Sequence, residues 1–167
     1  MKIFKILFII FVIFLISGAV IYLNKTQTDL KVNLNIQDKD INFKATFAIF
    51  TNSTFRIFTD PKYHNLSDKV YIQVDNPNVV HVKSKNVTWK DFFNTLPMNL
   101  TEKCLTTGTG QVFCDGEGGK LSFYLNGVKA KDLLDMEIKN SDKALIIYGF
   151  YQPYEVEEFQ KQLQNIK

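Results

Sequence analysis

The 167-residue sequence predicts an α+β fold that follows an N-terminal membrane anchor. An uncharged, mostly apolar run covers residues 6–23. Several later segments alternate apolar and polar residues, which is typical of half-buried strands, and two others space their apolar residues as helices do. With 46% hydrophobic and 22% charged residues, the chain is too apolar to be disordered.

The N-terminal apolar run predicts a membrane-spanning signal anchor over residues 1–24. Residues 3–23, which Lys5 interrupts, reach the roughly 20 residues that cross a bilayer as a helix. Lys2 and Lys5 lie at its start, and no acidic residue precedes or interrupts it. The positive-inside rule therefore places the N-terminus in the cytoplasm and residues 25–167 outside the cell membrane.

A cleaved signal peptide is the alternative interpretation of this segment. Ser17 and Ala19 have the small-residue spacing that a signal peptidase prefers. The apolar run continues beyond them to Leu23 without a polar region, which favours a retained anchor. Both interpretations put the body of the protein outside the cytoplasm.

A linker and an extra hairpin are predicted over residues 25–68. Residues 31–37 alternate apolar and polar side chains, and residues 41–50 read as a second strand after a turn at residues 38–40. We expect this hairpin to extend the main sheet or to form a small lobe of its own.

Besides a hairpin at the two cysteines, four further strands are predicted in the remainder of the chain. Residues 69–75 and 79–84 form a pair, and residues 120–125 end at Asn126-Gly127, the strongest turn signal in the sequence. Residues 143–148 are apolar on both faces, which predicts a central strand.

Two amphipathic helices accompany these strands. Thr88 and Asp91 form a variant of the capping box at the start of a short helix that Pro97 ends. Pro153 suits the first turn of a C-terminal helix, whose apolar stripe consists of Val156, Phe159, Leu163 and Ile166.

The order of these elements predicts a β-grasp-like, ubiquitin-like domain over residues 69–167. In that arrangement the first strand, residues 69–75, and the last, residues 143–148, run parallel in the middle of a mixed sheet. The short helix crosses one face of the sheet.

Cys104 and Cys114 predict a disulfide that closes a small polar loop. An extracytoplasmic location permits the bond, and the two residues are ten positions apart. The alternative, a pair of thiol metal ligands, lacks CxxC spacing and a nearby histidine.

Asparagine sequons suggest glycosylation of the surface. The pattern Asn-x-Ser/Thr occurs at Asn24, Asn52, Asn65, Asn86 and Asn99. Coincidence is the alternative, because the chain is rich in asparagine and threonine.

Three stretches of the sequence resemble a family of small archaeal envelope proteins. They are residues 70–96, with its VVHV strand and TWKDFF helix start, residues 104–127, with both cysteines, and residues 140–149, with SDKALIIYG. The resemblance covers roughly residues 69–165. Because the family has no established activity, it implies architecture and location but no chemistry.

Few residues are suited to metal binding. His81 and His64 are the candidates, with Asp68 or Asp75 as further ligands, although unrelated surface histidines are the plainer interpretation. Histidine-rich members of the resembled family suggest a metal role, but this chain keeps only His81 on the matching strands. The loop with Asp115 and Glu117 supplies two carboxylates, fewer oxygens than calcium needs.

Catalysis and nucleic-acid binding are not predicted. The sequence lacks the GxxxxGK[ST], HExxH and GxSxG motifs, and no nucleophile can be matched to a histidine base, so we predict neither an enzyme nor a cofactor. Beyond the anchor the chain carries 18 basic and 17 acidic residues, without a basic cluster.

An aromatic cluster near the last strand leaves two roles open. Tyr148, Phe150, Tyr151 and Tyr154 either form an exposed patch for a partner or pack the terminal helix onto the sheet. Together these observations predict a non-catalytic accessory or partner-binding subunit of a membrane or envelope assembly, with the membrane and a protein as partners. The alternative is a metal or small-ligand binding ectodomain.

Overall fold

The computed structural model describes residues 17–25 and 41–166, and the chain divides into two units between residues 40 and 41. Residues 17–25 are helical and exposed. The rest of the predicted anchor and the predicted strand at residues 31–37 lie outside the described residues. Within the described part of the chain, no helix is long and apolar enough to cross a membrane.

The second unit has an α+β fold with a mixed sheet and a C-terminal helix, as the sequence predicts. Two 3₁₀ turns, Pro61–Tyr63 and Leu133–Asp135, lie in its connections. The regular elements are β1 (Phe43–Thr51), β2 (Thr54–Phe55), β3 (Val70–Gln73), β4 (Asn76–Val82), α1 (Trp89–Thr95), β5 (Asn99–Leu100), β6 (Cys104–Thr106), β7 (Val112–Cys114), β8 (Lys120–Leu125), β9 (Val128–Lys129), β10 (Lys143–Gly149) and α2 (Pro153–Gln164).

The main sheet has the strand order β3-β4-β1-β10-β8-β9, with β2 paired to the end of β1. β1 and β10 run parallel in its middle, with Phe47 opposite Ala144 and Ala48 opposite Leu145. The neighbouring pairs β1–β4 and β10–β8 are antiparallel. The parallel centre thus has an antiparallel strand on each side.

The identity of the first central strand corrects the prediction. The strand predicted at residues 69–75 is β3, at one edge of the sheet. The centre of the sheet is occupied instead by β1, which corresponds to the second strand of the predicted extra hairpin, residues 41–50. Burial explains the placement, because residues 47–50 are buried on both faces of the strand. A strand that is apolar on both faces needs cover on both sides, which only a central position provides.

The helix α1 covers one face of the sheet through aromatic side chains. Phe47 is fully buried, and its ring centroid lies 5.2 Å from that of Phe92 and 5.7 Å from that of Phe93. Thr88 and Asp91 form the predicted capping box, in which each side chain accepts a hydrogen bond from the other residue's backbone N–H. The cap fixes where α1 begins and so which residues face the sheet.

The helix α2 covers the opposite face. Phe159 and Leu163 are buried against Phe50, Leu145 and Ile147, and the rings of Phe159 and Phe50 are 4.5 Å apart. The predicted C-terminal amphipathic helix is confirmed, and its apolar stripe completes the second core.

A separate three-stranded sheet, β5-β6-β7, contains the disulfide. Cys104 and Cys114 lie directly opposite each other on β6 and β7, and their sulfur atoms are bonded as predicted. The bond holds the two strands together beside the α1 core.

Candidate binding surfaces

His81, the first metal candidate, lies in a positively charged setting. It is on β4, opposite Lys44 of β1, and its ring stacks on Tyr71 of β3 at 5.2 Å. Burial lowers the pKa of His81, and the charges of Lys44 and Lys83 lower it further. A cation would meet repulsion from these lysines.

His64, the second metal candidate, is engaged by the backbone. Its Nε2 lies 2.8 Å from the carbonyl oxygen of Phe58, within the connection between β2 and β3. Among the described residues, no group of three His, Cys, Asp or Glu side chains is placed to hold a metal ion.

The acidic loop after the second cysteine supports the strand that follows. Asp115 Oδ1 accepts a hydrogen bond from the Leu121 N–H at 2.7 Å. In the loop between these two residues, Gly116 and Gly119 form an antiparallel β-bridge. This carboxylate therefore holds the start of β8 in place.

All five sequon asparagines are exposed. Three of them, Asn52, Asn65 and Asn86, occupy the left-handed backbone region that is common in turns. Asn52, Asn65, Asn86 and Asn99 thus lie where a glycan could project from the described surface, whereas Asn24 falls within the predicted anchor. Glycosylation itself stays a prediction.

The aromatic cluster divides between the two roles that the sequence leaves open. Tyr148 is buried, and the Tyr151 ring packs edge-on against Phe159 at 5.0 Å, so these two secure the core. Phe150 and Tyr154 are 68% and 67% exposed. The second pair is therefore the exposed part of the cluster.

A concave surface lies between β8 and α2, and we call it the β8–α2 groove. It consists of three adjoining cavities, the largest about 540 Å³, all of which Tyr124 lines. The Gln160 side chain crosses it to donate to the Gly127 carbonyl at 3.1 Å. Its further lining includes Lys120, Ser122, Lys129, Lys143, Tyr151, Val156, Glu157, Leu163 and Gln164.

The β8–α2 groove has an excess of positive charge. Lys120, Lys129 and Lys143 line it with Glu157 as the single carboxylate, and none of these lysines is ion-paired within the described part of the chain. Burial raises the pKa of Tyr124, so its hydroxyl stays protonated and can donate a hydrogen bond. The groove therefore offers cations and hydrogen-bond donors to an anionic ligand.

Comparison with known proteins gives no match to a family model, a curated protein or a solved structure. The residues and the geometry of the surfaces are accordingly the basis on which function is proposed.

Sequence reasoning missed the groove. The alternation of Lys120, Ser122 and Tyr124 along one face of a strand is visible in the sequence and signals a polar face. The sequence does not show that α2 packs beside this face and converts it into one wall of a groove.

Proposed function

We propose that the protein is a single-pass cell-membrane protein whose N-terminus is cytoplasmic and whose residues 25–167 are extracytoplasmic. The apolar run of residues 6–23 and the lysines at its start support the anchor and its orientation. The Cys104–Cys114 disulfide supports an oxidising compartment for the rest of the chain.

The ectodomain is proposed to be β-grasp-like. The parallel pair β1–β10 at the centre of a mixed sheet, with α1 across one face, supports this arrangement. Kinship with the small archaeal envelope proteins that the sequence resembles belongs to the same proposal.

Within this setting the protein acts as a non-catalytic accessory or partner-binding subunit of a membrane or envelope assembly. The observation that carries the proposal is the β8–α2 groove, with Lys120, Lys129 and Lys143 free of ion pairs among the described residues. A partner segment rich in carboxylates would supply the missing counter-charges. Complementary charge of this kind speeds encounter and selects the partner.

The distribution of sequons agrees with an interface at this groove. All five sequons lie at or before Asn99, so β8, β9, β10 and α2 carry none. These elements therefore carry no glycan of their own, while Asn52 lies beside the Tyr151 end of the groove, because its N–H donates to the Tyr148 carbonyl and the Ser53 N–H donates to the Tyr151 hydroxyl.

Affinity purification of the tagged full-length protein from native membranes in mild detergent, followed by mass spectrometry, tests the proposal. We expect a stoichiometric membrane or envelope partner. The double variant Lys120→Glu/Lys129→Glu should lose it, because the reversed charges would repel an acidic segment. The matched control Lys69→Glu/Lys139→Glu reverses two exposed lysines elsewhere and should retain it.

Recovery of the protein alone would contradict the subunit proposal. A partner recovered equally well by both double variants would contradict binding at the β8–α2 groove and leave the subunit role standing.

A small-ligand binding ectodomain is the second candidate function. A cavity beside Arg56, on the α1 side of the sheet, favours it and is argued below.

A further inference from the structure

A second cavity, which we call the Arg56 cavity, differs in chemistry from the groove. It measures about 360 Å³ and lies between the segment of residues 54–58 and the disulfide-bonded small sheet. Apolar residues dominate its lining: Ile49, Phe55, Ile57, Phe58, Tyr63, Met98 and Leu105. Its size and lining are those of small-molecule sites, which are apolar with a few placed polar groups.

The chain's sole arginine lines this cavity. Arg56 Nε donates to Thr51 Oγ1 at 2.5 Å, and Nη1 donates to Gln111 Oε1 at 2.8 Å. The guanidinium also lies over the Phe113 ring, 5.0 Å from its centroid. Three contacts, from β1, from β7 and from Gln111 just before β7, thus fix its orientation.

Its charge, in contrast, has no counter-ion among the residues that the structure describes. No carboxylate among the described residues comes within ion-pair distance of Arg56, and Nη2 donates to none of their acceptors. A guanidinium has five N–H donors, so three remain after the bonds to Thr51 and Gln111. Arginine with free paired donors binds carboxylates in a two-pronged geometry.

The other cation near the cavity is already engaged. Lys62 Nζ lies 3.8 Å from Asp60, donates to the Gly108 carbonyl at 3.4 Å, and sits over the Tyr63 ring. Arg56 is therefore the group that would attract an anion to this site.

We propose that the Arg56 cavity binds a small amphipathic carboxylic acid. The hydrocarbon part occupies the apolar cavity, where it is removed from water, and the carboxylate pairs with the guanidinium of Arg56. Both parts of the ligand contribute, because Arg56 is the one charged residue in the described lining of the cavity and the rest of that lining is mostly apolar. This inference does not depend on the β8–α2 groove, which lies on the opposite, α2-covered face of the sheet.

Calorimetric titration of the full-length protein in phosphatidylcholine nanodiscs with octanoate tests the inference. Empty nanodiscs give the blank for partition into lipid. We expect saturable binding of one octanoate per protein, with 1-octanol at least about tenfold weaker and acetate below detection, since a charge-assisted hydrogen bond contributes roughly 1.5–3 kcal/mol. This comparison uses only the wild-type protein, so it does not depend on how a variant folds.

Variants then assign the site. Arg56→Met should weaken octanoate at least about tenfold, and Arg56→Lys should weaken it less, because charge is kept but the paired donors are lost. Lys120→Glu/Lys129→Glu should leave the affinity unchanged. Absence of saturable binding above the blank, equal affinity for octanoate and octanol, or full affinity in a folded Arg56→Met variant would each overturn the proposal.

Discussion

His81 shows how neighbours from other strands set the behaviour of one residue. Its burial and the charges of Lys44 and Lys83 favour the neutral imidazole in the folded protein. As the pH falls, His81 of the unfolded chain takes up a proton near its ordinary pKa of about 6.5, at a higher pH than His81 of the folded protein. His81 therefore contributes to the free energy of unfolding at neutral pH. This contribution is lost as the pH falls from 6.5 toward the lower pKa that His81 has in the folded state.

We predict that stability decreases between pH 7.5 and pH 5 and that His81→Gln diminishes the decrease. Urea unfolding of both proteins at the two pH values measures the difference. In an NMR titration, Lys44→Met should raise the pKa of His81 toward its ordinary value, since one repulsive charge is removed. A wild-type His81 that titrates at or above 6.5 would contradict this account.

The sequence predicts part of the environment of His81. Alternation along the strand correctly places its side chain with Lys83, opposite Val80 and Val82. It does not predict Lys44, which becomes a neighbour only because β1 pairs with β4. Contacts within a strand follow from its period, whereas contacts between strands depend on a pairing that forms over a long stretch of chain.

Among the elements, α1 is the one most fully specified by local sequence. Thr88 Oγ1 accepts from the Asp91 N–H at 3.1 Å, and Asp91 Oδ2 accepts from the Thr88 N–H at 2.9 Å. With seven residues, α1 is too short to persist alone, so its cap and its packing on the sheet must both hold it.

We predict that Thr88→Ala lowers the free energy of unfolding by about 0.5–2 kcal/mol, the usual effect of losing such a cap. Urea unfolding monitored by the fluorescence of Trp89, the neighbouring buried residue, gives the value. Thr88→Ser is the matched control, because it keeps both the capping hydroxyl and the sequon at Asn86. A loss as large in Thr88→Ser as in Thr88→Ala would show that the methyl group, rather than the cap, matters.

The strands were predictable as segments but not as a sheet. Residues 41–50 read as a strand from their composition, yet their sequence position suggested an accessory hairpin. Burial of residues 47–50 on both faces places β1 at the centre of the sheet. Its two neighbouring strands, β4 and β10, follow it at different distances along the chain. Local propensity cannot decide between such partners.

At the scale of the whole molecule, the two faces of the sheet carry different chemistry. The α2 side presents the cationic β8–α2 groove, and the α1 side presents the apolar Arg56 cavity. Neither was predictable, because each is walled by elements distant in sequence: Arg56 and Gln111 are 55 residues apart. The proposed partner and the proposed small acid would therefore occupy separate faces of the sheet.

The proposed orientation of the chain in the membrane makes the disulfide a reporter of compartment. In the proposed orientation, Lys2 and Lys5 would be the charges that hold the N-terminus in the cytoplasm. We predict that Lys2→Gln/Lys5→Gln, combined with lysines in place of Thr26 and Gln27, inverts the protein. Cys104 and Cys114 would then face a reducing compartment and stay as thiols.

Alkylation with a maleimide reagent after denaturation, with and without prior reduction, distinguishes the two orientations. The wild-type protein should be modified only after reduction, and the inverted variant should be modified without it. Lysine substitution at Thr26 and Gln27 alone, with Lys2 and Lys5 kept, is the control and should leave a larger oxidised fraction than the full variant.

If all three proteins carry the disulfide, the N-terminal lysines do not set the orientation, and a cleaved segment that releases the domain outside becomes the better account. The mass of the mature chain then decides, because a retained anchor gives the full 19.3 kDa polypeptide and cleavage after Ala19 gives one that begins at Val20.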